Sequence, residues 1–273
     1  MAETKNIYKA TKFIQETTEN FRPEIGMILG SGLGPVADAI KDPMYINYQD
    51  IPGFPVSTVE GHAGRLVLGN LNGKNVMVMQ GRFHFYEGYP MPLIGFPVQV
   101  MKKLGVSKMI VTAASGAVTT DLQPGDLMVI TNHINLTFRH PLMGQKLSIS
   151  DELSSQTSKV YDPDLSNIAL ETGRKLGIEI KSGVYVMATG PSFETRAEVR
   201  MARLVGGDVV GMSTVPEATT AALLGIKVLG MTYVSNSGTG ISQKQLSHHD
   251  VLDTMSRIQQ RVVSLISETV GNL

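Results

Sequence analysis

One short segment of the sequence, GRFHFYEGY at residues 81–89, carries side chains that could hold an anion and a sugar together. Arg82, His84 and Tyr86 alternate along it, so in an extended strand they would project to one face, with phenylalanines on the other. Arginine supplies a charged fork of donors, histidine a donor or acceptor near neutral pH, and tyrosine a flat wall with a hydroxyl group. A core strand whose polar face forms a binding site is at least as well supported as an exposed edge strand with polar residues pointing outward.

Two glycine-containing turns could add to such a site. GSGLG, residues 30–34, follows an apolar run, and backbone amides at such a turn, together with the hydroxyl of Ser31, suit an anion. The glycine spacing does not match the dinucleotide fingerprint G-x-G-x-x-G, and a plain strand-to-helix turn is an equal alternative. GHAGR, residues 61–65, would let a loop carrying His62 close over a ligand, although these residues alone favour a turn with a solvated histidine.

Two further segments run from an apolar strand through small residues into a helix start: ATGPSFETRAE at 188–198 and VVGMSTVPEA at 209–218. The sheets of α/β proteins usually bind ligands at the carboxyl ends of their strands. Glu194 beside Phe193 offers an acceptor next to an aromatic face, as a heterocycle with ring N–H groups would require, or it stabilises a helix dipole from the first turn. Ser213 is either a ligand contact or an ordinary helix N-cap.

Asn236, in SNSGTG at residues 235–240, offers one donor and one acceptor. That pair could read a carbonyl and a neighbouring ring nitrogen, or the residue is a turn asparagine before glycines. His248, His249 and Asp250 follow, but adjacent histidines do not share a helix face, and no metal-ligand spacing supports a site there. We therefore expect no metal.

Composition limits the classes of function. Of 273 residues, 42% are hydrophobic and 18% charged, which predicts a sizeable core. The 24 Lys and Arg balance 24 Asp and Glu, so no net positive field would collect nucleic acid or an anionic membrane. The absence of cysteine excludes disulfides, thiolate metal sites and a cysteine nucleophile. MAETKNIYKA lacks the apolar run of a signal peptide, and Lys227 interrupts the longest apolar stretch, so we expect a soluble, cytoplasmic protein.

The elements that must position these residues alternate between helix and strand along the whole chain, which indicates an α/β fold. Asn72-Gly73 between two apolar runs predicts a hairpin, and residues 141–161, rich in Ser and Thr, predict a long loop. Helices are expected near residues 3–19, 92–104, 163–176, 195–205 and 216–225 and from 247 onward, and strands near 24–30, 65–81 as the hairpin, 108–114, 126–134, 183–189, 208–212 and 227–235.

Taken in order, GSGLG, GHAGR, GRFHFYEGY, GPSFET, GMSTVPE and a late Ser-Asn make the chain resemble the trimeric purine nucleoside phosphorylases from about residue 20 to 270. GRFHFYEGY and the pair GPSFET and GMSTVPE are long enough that chance agreement is implausible. The resemblance implies a single α/β domain over residues 1–273, with a mixed, partly barrel-like β-sheet surrounded by helices. It also implies a homotrimer that acts on a purine nucleoside and inorganic phosphate in purine salvage, without a cofactor and without nucleic-acid or membrane partners.

The resemblance implies phosphorolysis of inosine and guanosine, and of their 2′-deoxy forms, to the free base and (deoxy)ribose 1-phosphate. The glycosidic bond would break through an oxocarbenium-like state that the phosphate captures, with His84, Glu194 and Asn236 as catalytic residues. The implied phosphate ligands are Ser31, His62, Arg82, His84, Ala114 and Ser213. The implied ribose contacts are Tyr86, Met212 and His248, and the implied base contacts are Phe193, Glu194 and Asn236.

Three positions depart from the family pattern. Ala113 stands where Asn is common, Ser115 where Ala is common, and Ser154 falls near a Phe that family members lend to a neighbouring subunit. Two alternatives stay open. A methylthioadenosine phosphorylase of the same fold would place an acid at position 236, so Asn236 argues for a six-oxopurine. A non-catalytic nucleotide-binding module would leave the residues of GRFHFYEGY and Glu194 unexplained.

Overall fold

The computed structural model describes residues 2–59, 61–141, 143, 158–241 and 248–273. Its helices are α1 (Ala2–Thr17), α2 (Met91–Ile94), α3 (Phe96–Leu104), α4 (Pro163–Lys175), α5 (Arg196–Leu204), α6 (Val215–Leu223) and α7 (His248–Asn272). Its strands are β1 (Ile25–Leu29), β2 (Lys41–Asn47), β3 (Arg65–Leu71), β4 (Lys74–Gln80), β5 (Lys108–Ala117), β6 (Leu127–Asn135), β7 (Ile180–Met187), β8 (Val209–Gly211) and β9 (Lys227–Ser237). Short 3₁₀ helices cover Gly34–Ala39, Tyr48–Asp50 and Phe85–Glu87.

The described strands form one mixed sheet in the order β2-β3-β4-β1-β5-β8-β7-β6-β9. Strand β9 also pairs with β5, in parallel, from Lys108 opposite Lys227 to Ala117 opposite Ser237. That second pairing closes β5, β8, β7, β6 and β9 into a ring, while β2, β3, β4 and β1 extend from it as an open sheet. The predicted fold class, a mixed and partly barrel-like sheet surrounded by helices, is confirmed.

Apolar side chains bury both faces of the open sheet. Strand β1 shows how, because alternate residues point to opposite faces of a strand. Ile28 packs into a cluster with residues of α1, α3 and α6, whereas Met27 and Leu29 pack into another with residues of α4 and α7. A short strand made entirely of apolar residues therefore lies between two helical layers, which explains the uninterrupted apolar run in its sequence.

Most local predictions are confirmed. The hairpin of β3 and β4 turns at Asn72 and Gly73, whose φ angles of 47° and 84° are those a tight hairpin requires. The helix expected near 92–104 is divided into α2 and α3, because Pro97 lacks the backbone N–H that a continuous helix would use. Strand β2 was not expected from the sequence, because it contains Pro43 and mostly exposed residues and lies at the sheet edge.

The extended strand expected for GRFHFYEGY is wrong. Strand β4 ends at Gln80, and Gly81 turns the chain with a φ of 113°, a conformation that favours glycine. A side chain there would also collide with His62, since a Cβ on Gly81 would lie 2.8 Å from the Cβ of His62. The segment then enters the 3₁₀ turn Phe85–Glu87.

The loop expected at 141–161 lies mostly outside the described residues, Ser154 included. Its described end, Tyr161, is buried and forms a single bridge to Val228. Among the described residues, no helix is both long enough and apolar enough to cross a bilayer.

Candidate active site

A cavity of about 280 Å³ opens beside the last residues of β5 and β9, where the turns after β1 and β8 also converge. Residues far apart in the sequence therefore meet at one place. The sequence-predicted residues that line it are Ser31, Arg82, His84, Tyr86, Ala114, Phe193, Glu194, Met212, Ser213 and Asn236. The others are Gly30, Val59, Ser115, Gly116, Pro191, Val210, Gly211 and Ser235.

Arg82 is the most deeply buried charged group of the cavity, with 1% of its surface exposed. Its Nη1 atom donates to the carbonyl oxygen of Thr112 and to Oγ of Ser213, both at 2.7 Å. Its Nη2 atom has no hydrogen-bond partner among the described residues. A fixed guanidinium that still has unpaired donors is suited to bind an oxyanion.

Glu217, on α6, is a site residue that the sequence analysis missed. Its side chain is 4% exposed, and Oε1 lies 3.2 Å from Nε of Arg82. Neither carboxylate oxygen makes a hydrogen bond with a described residue, so this contact is an ion pair without an aligned N–H donor. The available signal was an acid inside the otherwise uncharged run VPEATTAALLG, which resembles an ordinary helix-dipole residue.

His84 is oriented by Glu87, a second residue that the sequence analysis missed. Nδ1 of His84 lies 3.1 Å from Oε1 of Glu87, and the His84 backbone N–H donates to the same oxygen. Burial alone would raise the pKa of Glu87, but hydrogen bonds from His84 and Thr58 outweigh it and lower the pKa to about 2. An ionised Glu87 only accepts, so the neutral His84 ring carries its proton on Nδ1 and presents Nε2 as an acceptor.

Three rings stack beside the cavity. His62 and His84 lie with centroids 5.5 Å apart, and His84 and Tyr86 with centroids 4.8 Å apart and planes at 18°. The 3₁₀ turn thus places Tyr86 against His84, although the segment is not extended. Burial raises the pKa of Tyr86 to about 12, so its hydroxyl group keeps its proton.

His62 contacts the back of His84 and is not among the cavity-lining residues. Its Nδ1 lies 3.1 Å from Oγ of Ser57 and accepts from the backbone N–H of Arg82. Burial lowers the pKa of His62 to about 4, helped by the charges of His84 and Arg82. The chain does turn here, but the expectation of a solvated histidine is wrong, because His62 is a half-buried neutral ring.

The opposite side of the cavity carries Phe193, Glu194 and Asn236. Burial raises the pKa of Glu194, and its Oε1 atom has no hydrogen-bond partner among the described residues. Oδ1 of Asn236 accepts from Oγ of Ser235 at 2.6 Å, which assigns the orientation of the amide. A carboxyl group and an oriented amide therefore line the cavity that Arg82 also lines.

The glycine turn contributes less than expected. The N–H of Gly30 donates to Oγ1 of Thr112 and that of Leu33 to the carbonyl of Gly30, so these two amides are used inside the protein. These two amides are therefore not available to an anion, while Ser31 does line the cavity. The unusual Ser115 is also paired internally, since its Oγ lies 2.8 Å from Oγ1 of Thr232.

His248 begins α7, but its side chain, like those of His249 and Asp250, lies outside the described part. Within the described residues, no group of three or more His, Cys, Asp or Glu side chains is placed to hold a metal ion.

Comparisons with known proteins identify the family of this chain. The model of the phosphorylase superfamily matches residues 24–271. Purine nucleoside phosphorylase 1 of Bacillus subtilis (strain 168) is 49% identical over 265 residues, covering 97% of each chain. A crystal structure of schistosoma purine nucleoside phosphorylase with hypoxanthine has a TM-score of 0.89 at 37% identity, covering 98% of this chain and 97% of that one. The crystal structure of isoform 2 of purine nucleoside phosphorylase from Schistosoma mansoni, in complex with cytosine and ribose-1-phosphate, has a TM-score of 0.91 at 35% identity. It covers 98% of this chain and 96% of that one.

Proposed function

Because this chain belongs to the phosphorylase superfamily, and within it to the purine nucleoside phosphorylases, we propose that it catalyses reversible phosphorolysis of inosine and guanosine. The products are the free purine and ribose 1-phosphate, and the 2′-deoxynucleosides react in the same way. Inorganic phosphate is the co-substrate, and no cofactor takes part. The observation that carries the proposal is one cavity lined both by Arg82, with its unpaired donors, and by Glu194 and Asn236.

The phosphate end follows from Arg82. Phosphate accepts from the free N–H groups of Arg82 and from the hydroxyls of Ser31 and Ser213, and the backbone at Ala114 completes the pocket. Nε2 of His84 accepts the hydrogen of a monoprotonated phosphate, and His62 supports that ring from behind. Charge-assisted hydrogen bonds of this kind hold a doubly charged oxyanion next to the sugar.

The reaction breaks the bond between C1′ of the sugar and N9 of the purine. The electron pair of that bond goes to the purine, and a phosphate oxygen forms the new bond to C1′. The purine takes up one proton and the monoprotonated phosphate gives up one, so the reaction releases no net proton. Positive charge develops on the sugar in between, and phosphate stabilises it before capturing it. Tyr86 and Met212, which line the cavity, contact the ribose, and the family resemblance implies His248 as a third contact.

Asn236 and Glu194 stabilise the negative charge that develops on the leaving purine. The Asn236 carbonyl accepts from the ring nitrogen at position seven, and its amide N–H donates to the oxygen at position six. Glu194 accepts from the N–H at position one, and Phe193 covers the face of the base. Fixed dipoles aimed at developing charge are usually the largest contribution to catalysis.

We propose that the chain works as a homotrimer in the cytoplasm, in purine salvage, with residues 1–273 as one domain. The trimer is inferred from the family, because a neutral chain of this length gives no signal of assembly of its own. Light scattering during turnover tests the assembly, and an active monomer would refute it.

The test of the activity is a set of parallel assays with inosine, guanosine, adenosine and methylthioadenosine, each with and without phosphate. We expect cleavage of inosine and guanosine that requires phosphate and yields ribose 1-phosphate. Equal cleavage without phosphate would identify a hydrolase instead. Preference for methylthioadenosine would identify the related phosphorylase, and binding without turnover would identify a nucleotide-binding module.

A further inference from the structure

The ion pair between Arg82 and Glu217 lies in the core and is almost completely dehydrated. The two side chains are 1% and 4% exposed. Transferring a charged group from water into a protein interior is unfavourable unless an opposite charge or hydrogen bonds compensate it. Arg82 has both kinds of compensation, while Glu217 has the charge of Arg82 and no hydrogen bond from a described residue. Glu217 is thus the carboxylate that compensates the charge of Arg82, since the ionised Glu87 is hydrogen-bonded to His84 and Thr58.

A role in the helix dipole does not account for Glu217. An acid in the first turn of a helix is stabilised by the helix dipole, but that role does not require the acid to be buried. Glu217 is instead surrounded by buried groups, and its charge adds to burial in raising the pKa of Tyr161 and of Tyr185. The hydroxyl of Tyr185 in turn accepts from the backbone N–H of Ser213, which lines the cavity.

We propose that Glu217 is a positioning residue that acts as the counter-charge of the phosphate pocket. It acts through Arg82, and it is not among the residues that line the cavity. While the pocket is empty, Glu217 compensates the charge of Arg82 and keeps its side chain in place. When phosphate binds, the same negative charge opposes the dianion and weakens its binding. This inference rests on the proposed function, since it takes the anion at Arg82 to be phosphate.

The compensation of Arg82 and the repulsion of phosphate both weaken phosphate binding. Without the carboxylate, the buried cation of Arg82 keeps only its hydrogen bonds as compensation, and phosphate meets no repulsion from Glu217. Phosphate should therefore bind more tightly. Ribose 1-phosphate carries the same dianionic group, so its release should slow. The carboxylate thus allows both phosphate and ribose 1-phosphate to dissociate from the pocket.

The test is Glu217→Gln, which removes the charge and keeps the shape. We expect the KM for phosphate to fall by at least about threefold, because like charges in a binding site oppose affinity. The KM for inosine should change less, and kcat should fall. The protein without phosphate should melt at a lower temperature, and the rise in Tm on adding phosphate should exceed that of the parent. A merely structural role would lower Tm without enlarging the phosphate-dependent rise.

Two further variants serve as controls. Asp208→Asn alters another partly buried carboxylate, which accepts from the backbone N–H of Val184 and does not line the cavity. It should lower Tm and leave the phosphate-dependent rise unchanged. Glu217→Asp retains the charge and should keep the phosphate KM within about threefold of the parent. If Glu217→Gln does not fold, a tightening beyond that limit in Glu217→Asp overturns the inference.

The inference is overturned if Glu217→Gln binds phosphate as the parent does, or more weakly. Arg82→Ala separates this failure from failure of the proposed function. If that variant uses phosphate as well as the parent, the pocket itself is misassigned. If it loses phosphate use while Glu217→Gln changes nothing, only the counter-charge is refuted.

Discussion

Nη1 of Arg82 lies 2.7 Å from Oγ of Ser213, so the turn after β4 is tied directly to the turn that precedes α6. Thr214, next in the chain, has a φ of 74°, a left-handed conformation that is strained for a β-branched residue. It is fully buried, and its hydroxyl lies 3.3 Å from the same Nη1. Surrounding contacts thus hold a strained turn that keeps Ser213 against the guanidinium, and both residues line the cavity.

Replacing Arg82 with Ala should weaken phosphate use more than nucleoside binding. A hydrogen bond to a charged group contributes about 1.5–3 kcal/mol, which corresponds to roughly ten- to a hundredfold in phosphate KM. The KM values for phosphate and inosine, measured separately, check this. Ser213→Ala is the matched control, since it removes one neutral hydroxyl and should have a smaller effect. An unchanged phosphate KM would exclude Arg82 from the pocket.

Replacing Glu87 with Gln should disturb the proton position on His84. The carboxylate accepts from Nδ1, whereas the Gln amide can donate to it and shift the proton to Nε2. Burial lowers the pKa of His84, whereas the hydrogen bond and charge of Glu87 raise it. The pKa of His84 should therefore fall further in the variant. Nitrogen chemical shifts across a pH titration would show both changes, and we expect kcat/KM to fall about tenfold.

Thr58→Ala is the control for Glu87→Gln, because it removes a neighbour of Glu87 and leaves the carboxylate facing His84. It should change the His84 titration less. If the titration of His84 is the same in the Gln variant and the parent, Glu87 does not set the tautomer.

Stability should decline in weak acid. Burial lowers the pKa of His62 and of His133 from 6.5 to about 4, so the folded protein binds fewer protons than the unfolded chain between these values. The stabilisation is complete above pH 6.5 and is lost as the pH falls towards 4. Melting temperatures between pH 7 and pH 5 should fall, and less steeply in His62→Asn. Equal slopes in both proteins would contradict the assignment to His62.

Local sequence patterns were sufficient for elements that depend on local interactions. Strand β1 follows from an apolar run, and the hairpin turn follows from Asn72-Gly73, since both signals are contained within a few residues. The turn at Gly81 was not foreseen, because its cause is the packing of His62 against it. The alternation of Arg82, His84 and Tyr86 predicted that the three side chains share one site, and all three line the cavity. The reason was wrong, because a 3₁₀ turn and ring stacking place them there in place of the expected strand.

The missed residues of the site share a physical cause. Glu217 acquires its environment from Arg82, which is remote in sequence, and Glu87 acquires its low pKa from hydrogen bonds with His84 and Thr58, which outweigh burial. Each resembles an ordinary acid near the start of a helix until the chain is folded. Ser31, Glu194 and Asn236 were found because their segments combine small residues with the end of an apolar strand.

Asn236→Asp gives the sharpest test of the base site. Oδ1 of Asn236 already accepts from Ser235, so a carboxylate could keep that bond while its second oxygen replaces the amide N–H. The oxygen at position six of inosine only accepts, and it would then face another acceptor. Sites built for one hydrogen-bond pattern strongly reject the wrong one, so inosine turnover should fall by at least about tenfold, or about 1.4 kcal/mol.

Adenosine should respond differently, because its six-amino group can donate to the new carboxylate. Its absolute turnover can stay low, since Glu194 still faces the lone pair at position one unless it is protonated, and burial raises the pKa of Glu194 in that direction. The quantity to measure is the ratio of adenosine to inosine kcat/KM at saturating phosphate. That ratio should rise in Asn236→Asp and not in Asn236→Ala, which removes donor and acceptor together. If both variants leave the ratio unchanged, Asn236 does not read the base, and the assignment of Glu194 beside it loses its support.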